Sequence, residues 1–139
     1  MSARTKARKR AIDALFAADL RTETATHLLN VAAEQAADRQ NQDEIFGYAR
    51  VLVSGVLDNL GAIDDLISSY AHGWSLDRMP NLDRAIIRVG TYEIVFADDV
   101  PDAVAIAEAV EVAKEYSTDD SGSFINGVLA KIAATKGAI

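Results

Sequence analysis

Cysteine is absent from the 139-residue sequence, and it holds only two prolines and two histidines. Without thiols the chain can form neither a disulfide nor a thiolate metal site, which fits a reducing compartment. Two prolines leave long stretches free of helix breakers. No apolar run approaches the roughly 18 residues that span a bilayer, and the basic start lacks the apolar segment that follows in a signal peptide. We therefore expect a cytoplasmic protein with no membrane segment.

Positive charge is concentrated at the N-terminus of an otherwise acidic chain. The chain carries 14 Lys and Arg against 21 Asp and Glu. Five of those bases lie in the first ten residues: Arg4, Lys6, Arg8, Lys9 and Arg10. Without these five, the remaining 9 bases face 21 acids, a net charge of −12. The basic end suits a polyanion such as nucleic acid, and the acidic body suits a basic partner protein. This asymmetry favours an adaptor over an enzyme.

Apolar residues recur at helical spacing along almost the whole chain. The pattern predicts helices over about 4–18, 25–38, 43–60, 64–70 and 82–97, one that starts at Pro101, and a last one containing Phe124 to Ile132. Asp43 is expected to cap the third helix, and residues 117–122 are expected to form a turn and capping cluster. Only residues 86–95, rich in β-branched side chains, could compete as a strand. We therefore expect one domain, 1–139, that folds as an all-α compact bundle of about seven helices.

No pattern of catalytic or cofactor-binding residues stands out. His27 and His72 lack a nucleophile elbow and a cysteine partner, so each is read as a surface or packing residue. The carboxylate pairs 64–65, 98–99 and 119–120 are adjacent in sequence and diverge by about 100° on a helix, so they do not converge on one ion. No glycine-rich phosphate loop is present. We expect no enzyme activity, no metal and no cofactor.

The basic N-terminal helix is compatible with three roles. It could be a solvated helix end, a binder of anionic membranes, or a binder of RNA or DNA. Its apolar stripe is small and Ala-rich and is needed by the bundle, which disfavours the membrane. Arginine is suited to bidentate contact with phosphate and to stacking on exposed bases. Composition alone leaves the solvated helix and the nucleic-acid binder open.

Three ordered stretches carry a family resemblance. They are RKRAIDALFAAD at 8–19, DRAIIRVGTYE at 83–93, and VAIAEAVEVAK at 104–114, which continues through DS and FINGVL at 120–129. In order and spacing they resemble the NusB family of bacterial transcription antitermination factors, from residue 4 to about 133. Three positions depart from the family pattern, where Ala107 replaces Asn, Ala130 replaces Asp and Phe16 replaces Tyr.

The resemblance implies an all-helical fold of two packed subdomains and an RNA-binding adaptor without catalysis. It implies that the chain binds the boxA sequence of nascent ribosomal RNA together with NusE, a small-subunit ribosomal protein, and acts on the RNA polymerase elongation complex with other Nus factors. The RNA-binding residues carried over are Arg4, Lys6, Arg8, Lys9, Arg10, Asp120, Ser121 and Phe124. Phe124 either stacks on a base or packs as a core aromatic. Some family members dimerise through the RNA-facing surface, so a homodimer stays open.

The acidic body offers a complementary surface for a basic ribosomal protein such as NusE. Near the central helix, we expect Asp77, Asp83 and Glu93 to face this partner. Two alternatives remain for the chain as a whole. One is an RNA-binding domain of the kind fused to RNA cytosine methyltransferases, although this chain has no cysteine nucleophile. The other is a helical interaction module without RNA affinity.

Overall fold

The structure is a computed structural model that describes residues 2–36, 41–116 and 119–136. In these ranges, the regular structure consists of seven α-helices and one short 3₁₀ turn. The α-helices are α1 (Ala3–Leu20), α2 (Ala25–Gln35), α3 (Gln42–Asp58), α4 (Leu60–Tyr70), α5 (Asn81–Phe96), α6 (Asp102–Tyr116) and α7 (Asp119–Thr135). The 3₁₀ turn, Leu76–Arg78, lies between α4 and α5. The described ranges contain no strand, and the β-branched residues 86–95 lie within α5. The predicted all-α fold is confirmed.

Polar side chains set the starts of the first two helices. The backbone N–H of Thr5 donates to the Ser2 hydroxyl at 3.1 Å, and the N–H of His27 donates to the Thr24 hydroxyl at 3.1 Å. Each bond satisfies a backbone donor that the first turn of a helix leaves free. Thr24 therefore ends the short connection between α1 and α2 by capping the start of α2.

Three helix boundaries differ from the sequence prediction. Asp43 does not cap α3, because the helix already starts at Gln42 after Asn41, which has a φ of 64°. The break between α3 and α4 falls at Asn59, whose side-chain amide donates to the Gly55 carbonyl at 2.8 Å, and not at the predicted gap between residues 60 and 64. The predicted turn at 117–122 is wrong from 119 onward, because these residues open α7; residues 117 and 118 lie outside the described residues.

Helix α5 lies at the centre of the bundle. On one side α1, α2 and α3 pack against one another, and on the other side α4 and α6 both pack against α7; α5 contacts helices of both sets. This arrangement matches the two packed subdomains that the resemblance implies. Helix α1 runs antiparallel to α5, because Arg8 meets Glu93 near one end and Asp19 meets Arg84 near the other. The basic start of α1 is thereby brought to the C-terminal half of α5.

Among the described helices, none has the length and apolar character that crossing a lipid bilayer requires. The buried residues form one continuous core that includes Ile12 of α1, Leu52 of α3, Ile86 of α5 and Leu129 of α7. All four side chains are almost completely removed from water. Burial of large aliphatic side chains is the main stabilising contribution in such a bundle.

The contact between α5 and α7 is close enough to require glycine at position 90. A Cβ atom there would lie 2.8 Å from Cδ1 of the buried Leu129 and 3.5 Å from Cβ of Ala109. We expect Gly90→Ala to lower the melting temperature, because overpacking of a core costs about 1–3 kcal/mol.

Gly47→Ala is the matched control, because no neighbouring atom lies within 4 Å of the Cβ it would add. Alanine in the open interior of a helix should stabilise the protein by up to about 1 kcal/mol. Thermal unfolding followed by circular dichroism measures both variants. A Gly90→Ala protein as stable as the wild type would show that α7 can move away without loss.

Candidate nucleic-acid interface

The five N-terminal cations occupy three different environments, although they lie on one helix. Arg8 is buried, with only 4 % of its surface exposed. Arg4 and Lys9 form ion pairs at the surface. Lys6 and Arg10 are exposed one helical turn apart, and within the described ranges neither lies at ion-pair distance from a carboxylate. The sequence analysis predicted an RNA contact for all five cations, and the fold places them in different environments.

Arg8 is the centre of a buried polar network that joins four helices. Its Nε and Nη2 donate to the two carboxylate oxygens of Glu93 on α5, at 2.8 and 2.9 Å. Its Nη1 donates to Oε1 of Glu108 on α6 at 3.2 Å. The Tyr48 hydroxyl of α3 donates to Glu93 at 2.5 Å, and the Thr5 hydroxyl donates to Glu108 at 2.7 Å. The bidentate geometry is the strongest form of an arginine–carboxylate contact.

The network keeps its members in the protonation states that hold it together. Burial acts to lower the pKa of the Arg8 guanidinium, but Glu93 and Glu108 outweigh it and raise that pKa above the ordinary value. Burial and the hydrogen bond to Glu93 raise the pKa of the Tyr48 hydroxyl. Arg8 therefore stays charged and Tyr48 stays a donor at any physiological pH.

This burial corrects two of the predicted roles. Glu93 is only 1 % exposed and its carboxylate faces Arg8, so it cannot present negative charge to a partner. Arg8 was predicted to contact RNA, but the free chain directs its guanidinium into the protein. Both residues hold helices together instead of facing solvent, because a buried charge is stable only beside its counter-ion.

Arg4 and Lys9 make ion pairs that a ligand can replace. Nη2 of Arg4 lies 2.8 Å from Oδ2 of Asp99, and its guanidinium lies 4.2 Å from the centre of the Tyr48 ring. Nζ of Lys9 lies 2.6 Å from Oε2 of Glu115. The hydrogen bond from Arg4 lowers the pKa of the Asp99 carboxyl. Both acids are more than half exposed, although only 14 % of the Lys9 side chain is. Ion pairs with solvent-exposed acids are weak, so phosphate can compete with either acid.

The start of α7 forms a second group of predicted site residues. The Ser121 hydroxyl donates to Oδ2 of Asp83 at 3.0 Å, which ties α7 to the first turn of α5. Phe124 is half-buried and packs edge-to-face against Trp74, with ring centres 5.0 Å apart and an interplanar angle of 77°. Asp120 is exposed. The sequence analysis predicted RNA contacts for Asp120, Ser121 and Phe124 but assigned no role to Trp74.

The two remaining acids predicted to face a partner differ in exposure. Asp77 is exposed on the 3₁₀ turn. Asp83 is only 1 % exposed, and burial raises the pKa of its carboxyl while the hydrogen bond from Ser121 opposes the shift. The prediction that Asp83 offers surface charge is therefore wrong for the free chain. Its position in the apolar stripe of α5, three residues before Ile86, was the signal that it points inward.

The fold and this surface define an all-helical protein with a basic helix on an acidic body. A family model described as the NusB family matches residues 5–134, so the chain belongs to the NusB family. The chain is 57 % identical over 136 residues to the transcription antitermination protein NusB of Leifsonia xyli subsp. xyli, covering 98 % of this chain and 94 % of that protein. It is 49 % identical to that of Clavibacter sepedonicus over 136 residues, covering 98 % and 99 %.

Solved structures give the same result. NusB of T. maritima matches with a TM-score of 0.83 and 37 % identity, covering 98 % of this chain and 97 % of that one. A NusB crystallised with NusE and double-stranded RNA matches with a TM-score of 0.85 and 27 % identity, covering 97 % and 98 %. The prediction of the family from three sequence stretches is confirmed.

The position of Arg8 gives a prediction that separates folding from ligand contact. We expect Arg8→Ala to reduce the free energy of unfolding by about 3–5 kcal/mol, because Glu93 would keep its buried charge without a counter-ion. Lys6→Ala, on the exposed side of the same helix, should change it by less than about 0.5 kcal/mol. Urea titration of both variants measures the difference. Equal stabilities would show that Arg8 does not act as a structural residue.

Proposed function

We propose that this chain is a transcription antitermination adaptor that binds boxA RNA of nascent ribosomal transcripts together with NusE. The observation that carries the proposal is the near-complete structural match to a NusB crystallised with NusE and double-stranded RNA. The same proposal includes action on the RNA polymerase elongation complex with other Nus factors, in the cytoplasm where transcription takes place. It needs no catalysis, because an adaptor acts by joining its partners.

The surface proposed to contact RNA is built from the exposed cations of α1 and from the start of α7. Lys6 and Arg10 carry charges that no described carboxylate pairs at close range. Arg4 and Lys9 can exchange their exposed acids for phosphate. Asp120, Ser121 and Phe124 remain proposed contacts at the start of α7. Arg8 supports this surface from below, through Glu93 and Glu108.

Electrostatics favours a second, basic partner. Phosphate contacts attract RNA, but the −12 charge of the remaining chain opposes it. A basic protein docked on the acidic body would lower that repulsion and supply further phosphate contacts. Asp77 is the exposed member of the three acids predicted to face this partner. Tighter RNA binding in the presence of NusE is therefore expected.

The role of the exposed cations can be measured by the salt dependence of binding. Replacing Lys6 and Arg10 together with Ala should weaken binding of a labelled boxA RNA. The log–log slope of affinity against salt should become shallower by about 1.4, because each phosphate contact to a single strand contributes about 0.7. Fluorescence anisotropy at three salt concentrations, with and without NusE, gives both quantities.

Lys131→Ala is the control, because Lys131 is exposed on α7 two turns beyond Phe124. It should leave the slope unchanged. An unchanged slope in the double variant would remove Lys6 and Arg10 from the interface. No binding of boxA RNA by the wild type, with or without NusE, would favour a helical interaction module without RNA affinity.

The proposed partner surface is tested by reversing charge at one acid. We expect Asp77→Lys to weaken binding of NusE, because a basic partner would then meet a like charge. Asp58→Lys makes the same change in net charge at an exposed position of α3 and should bind as the wild type does. Calorimetric titration of NusE into each variant compares them. Equal weakening in both would indicate general charge attraction without a localised contact at Asp77.

A further inference from the structure

The chain's single tryptophan lies at the surface. Trp74 is 38 % exposed and sits between α4 and the 3₁₀ turn, beside Phe124 of α7. A large aromatic ring gains stability by burial, so its exposure beside a predicted contact residue is informative. The two rings meet nearly at right angles. In an edge-to-face pair, each ring keeps at least one face free of its neighbour.

The backbone around Trp74 holds the ring in place. Gly73 has a φ of +82°, a backbone conformation that favours glycine. The backbone N–H of Trp74 donates to the Ala71 carbonyl at 3.2 Å. On the other side, Nη1 of Arg84 donates to the Leu76 carbonyl at 2.9 Å. The ring is thus exposed on a segment tied at both ends, not on a loose loop.

The aromatic pair continues the proposed RNA surface. Glu115, the partner of Lys9, lies in the last turn of α6, and α6 packs against α7, the helix that carries Phe124. The methylene chain of Lys114 lies against Gly122, two residues before Phe124. Cations and aromatic rings alternating along one surface are the usual composition of single-strand binding sites.

We propose that Trp74 stacks on an unpaired nucleobase of the bound RNA, with Phe124 supporting the indole ring. This inference rests on the proposed function and adds a base-reading residue to it. A nucleobase is uncharged, so it can stack close to the exposed acids Asp77 and Asp120, where a phosphate would be repelled. In this arrangement, phosphates of the RNA contact the cations of α1, and one unpaired base turns towards Trp74 and Phe124.

Because Trp74 is the only tryptophan, its emission reports the contact directly. We would titrate boxA RNA into the full chain and follow Trp74 fluorescence and anisotropy of the labelled RNA together. Stacking should quench the emission with the same midpoint as the anisotropy. Trp74→Leu should weaken binding roughly 5- to 150-fold, the range that one base–aromatic stack provides.

A set of abasic RNAs identifies the base. At one position, loss of the base should abolish the quenching and weaken wild-type binding by the same factor as Trp74→Leu. The same RNA should bind Trp74→Leu with no additional loss, because the two changes remove one interaction. Phe96→Leu is the matched control, since Phe96 is an equally exposed aromatic residue on α5 at 39 %. It should bind RNA as the wild type does, and circular dichroism should show that both variants are folded.

The outcomes separate the inference from the proposed function. If the wild type binds boxA RNA but Trp74→Leu binds equally well and the emission does not change, the stacking is overturned and the RNA-binding function stands. If NusE alone quenches Trp74 and Trp74→Leu weakens NusE binding but not RNA binding, the ring contacts the protein partner and the inference is overturned. If the wild type does not bind boxA RNA with or without NusE, both proposals fail.

Discussion

The buried ion pair between Arg8 and Glu93 is the interaction on which the arrangement of the basic helix depends. Removing two charges from water costs several kcal/mol per ion, which only close geometry and further hydrogen bonds can offset. Both conditions are met, because the pair is bidentate and Tyr48 and Glu108 occupy the remaining positions. Any rotation of α1 about its axis would break these bonds together. The pair therefore fixes which side of α1 faces the solvent.

That constraint determines how the remaining cations are presented. With Arg8 turned inward, Lys6 and Arg10 point outward one turn apart, and Arg4 and Lys9 lie against surface acids. A surface of this kind binds a polyanion reversibly. Its free cations attract phosphate, and its paired cations give up only weak contacts when phosphate replaces the acid. From these contacts we expect salt-sensitive binding of moderate affinity, which suits an adaptor that must join and leave a moving complex.

The sequence predicted the fold class, seven helices and the family, because helical periodicity and three ordered motifs extend over almost the whole chain. It did not predict which charged residues lie inside. Arg8 precedes Ile12 by four residues and Leu15 by seven, and Glu93 follows Ile86 by seven, so both fall in an apolar stripe. Periodicity marks such positions as buried, whereas residue type marks them as exposed. Only the packing of α1 against α5 shows that each one provides the other's counter-ion. The contact between Trp74 and Phe124 was equally hidden, because the two residues are 50 positions apart in sequence.

Helix α5 sets the distance between the two parts of the proposed interface, the cations of α1 and the aromatic pair beside the start of α7. Glu93 holds α1 near one end, and Asp83 holds the start of α7 near the other. Ten residues of helix separate them by about 15 Å, and a packed helix does not change that length. In the proposed complex, phosphate contacts and a stacked base would therefore lie at a fixed separation. A paired duplex keeps its bases stacked inside and cannot satisfy both, whereas a single strand can turn one base outward without breaking a pair. If Trp74 stacks on a base as we propose, the length of α5 between these two contacts would favour RNA that is unpaired at that base, a selectivity that no charge pattern alone could provide.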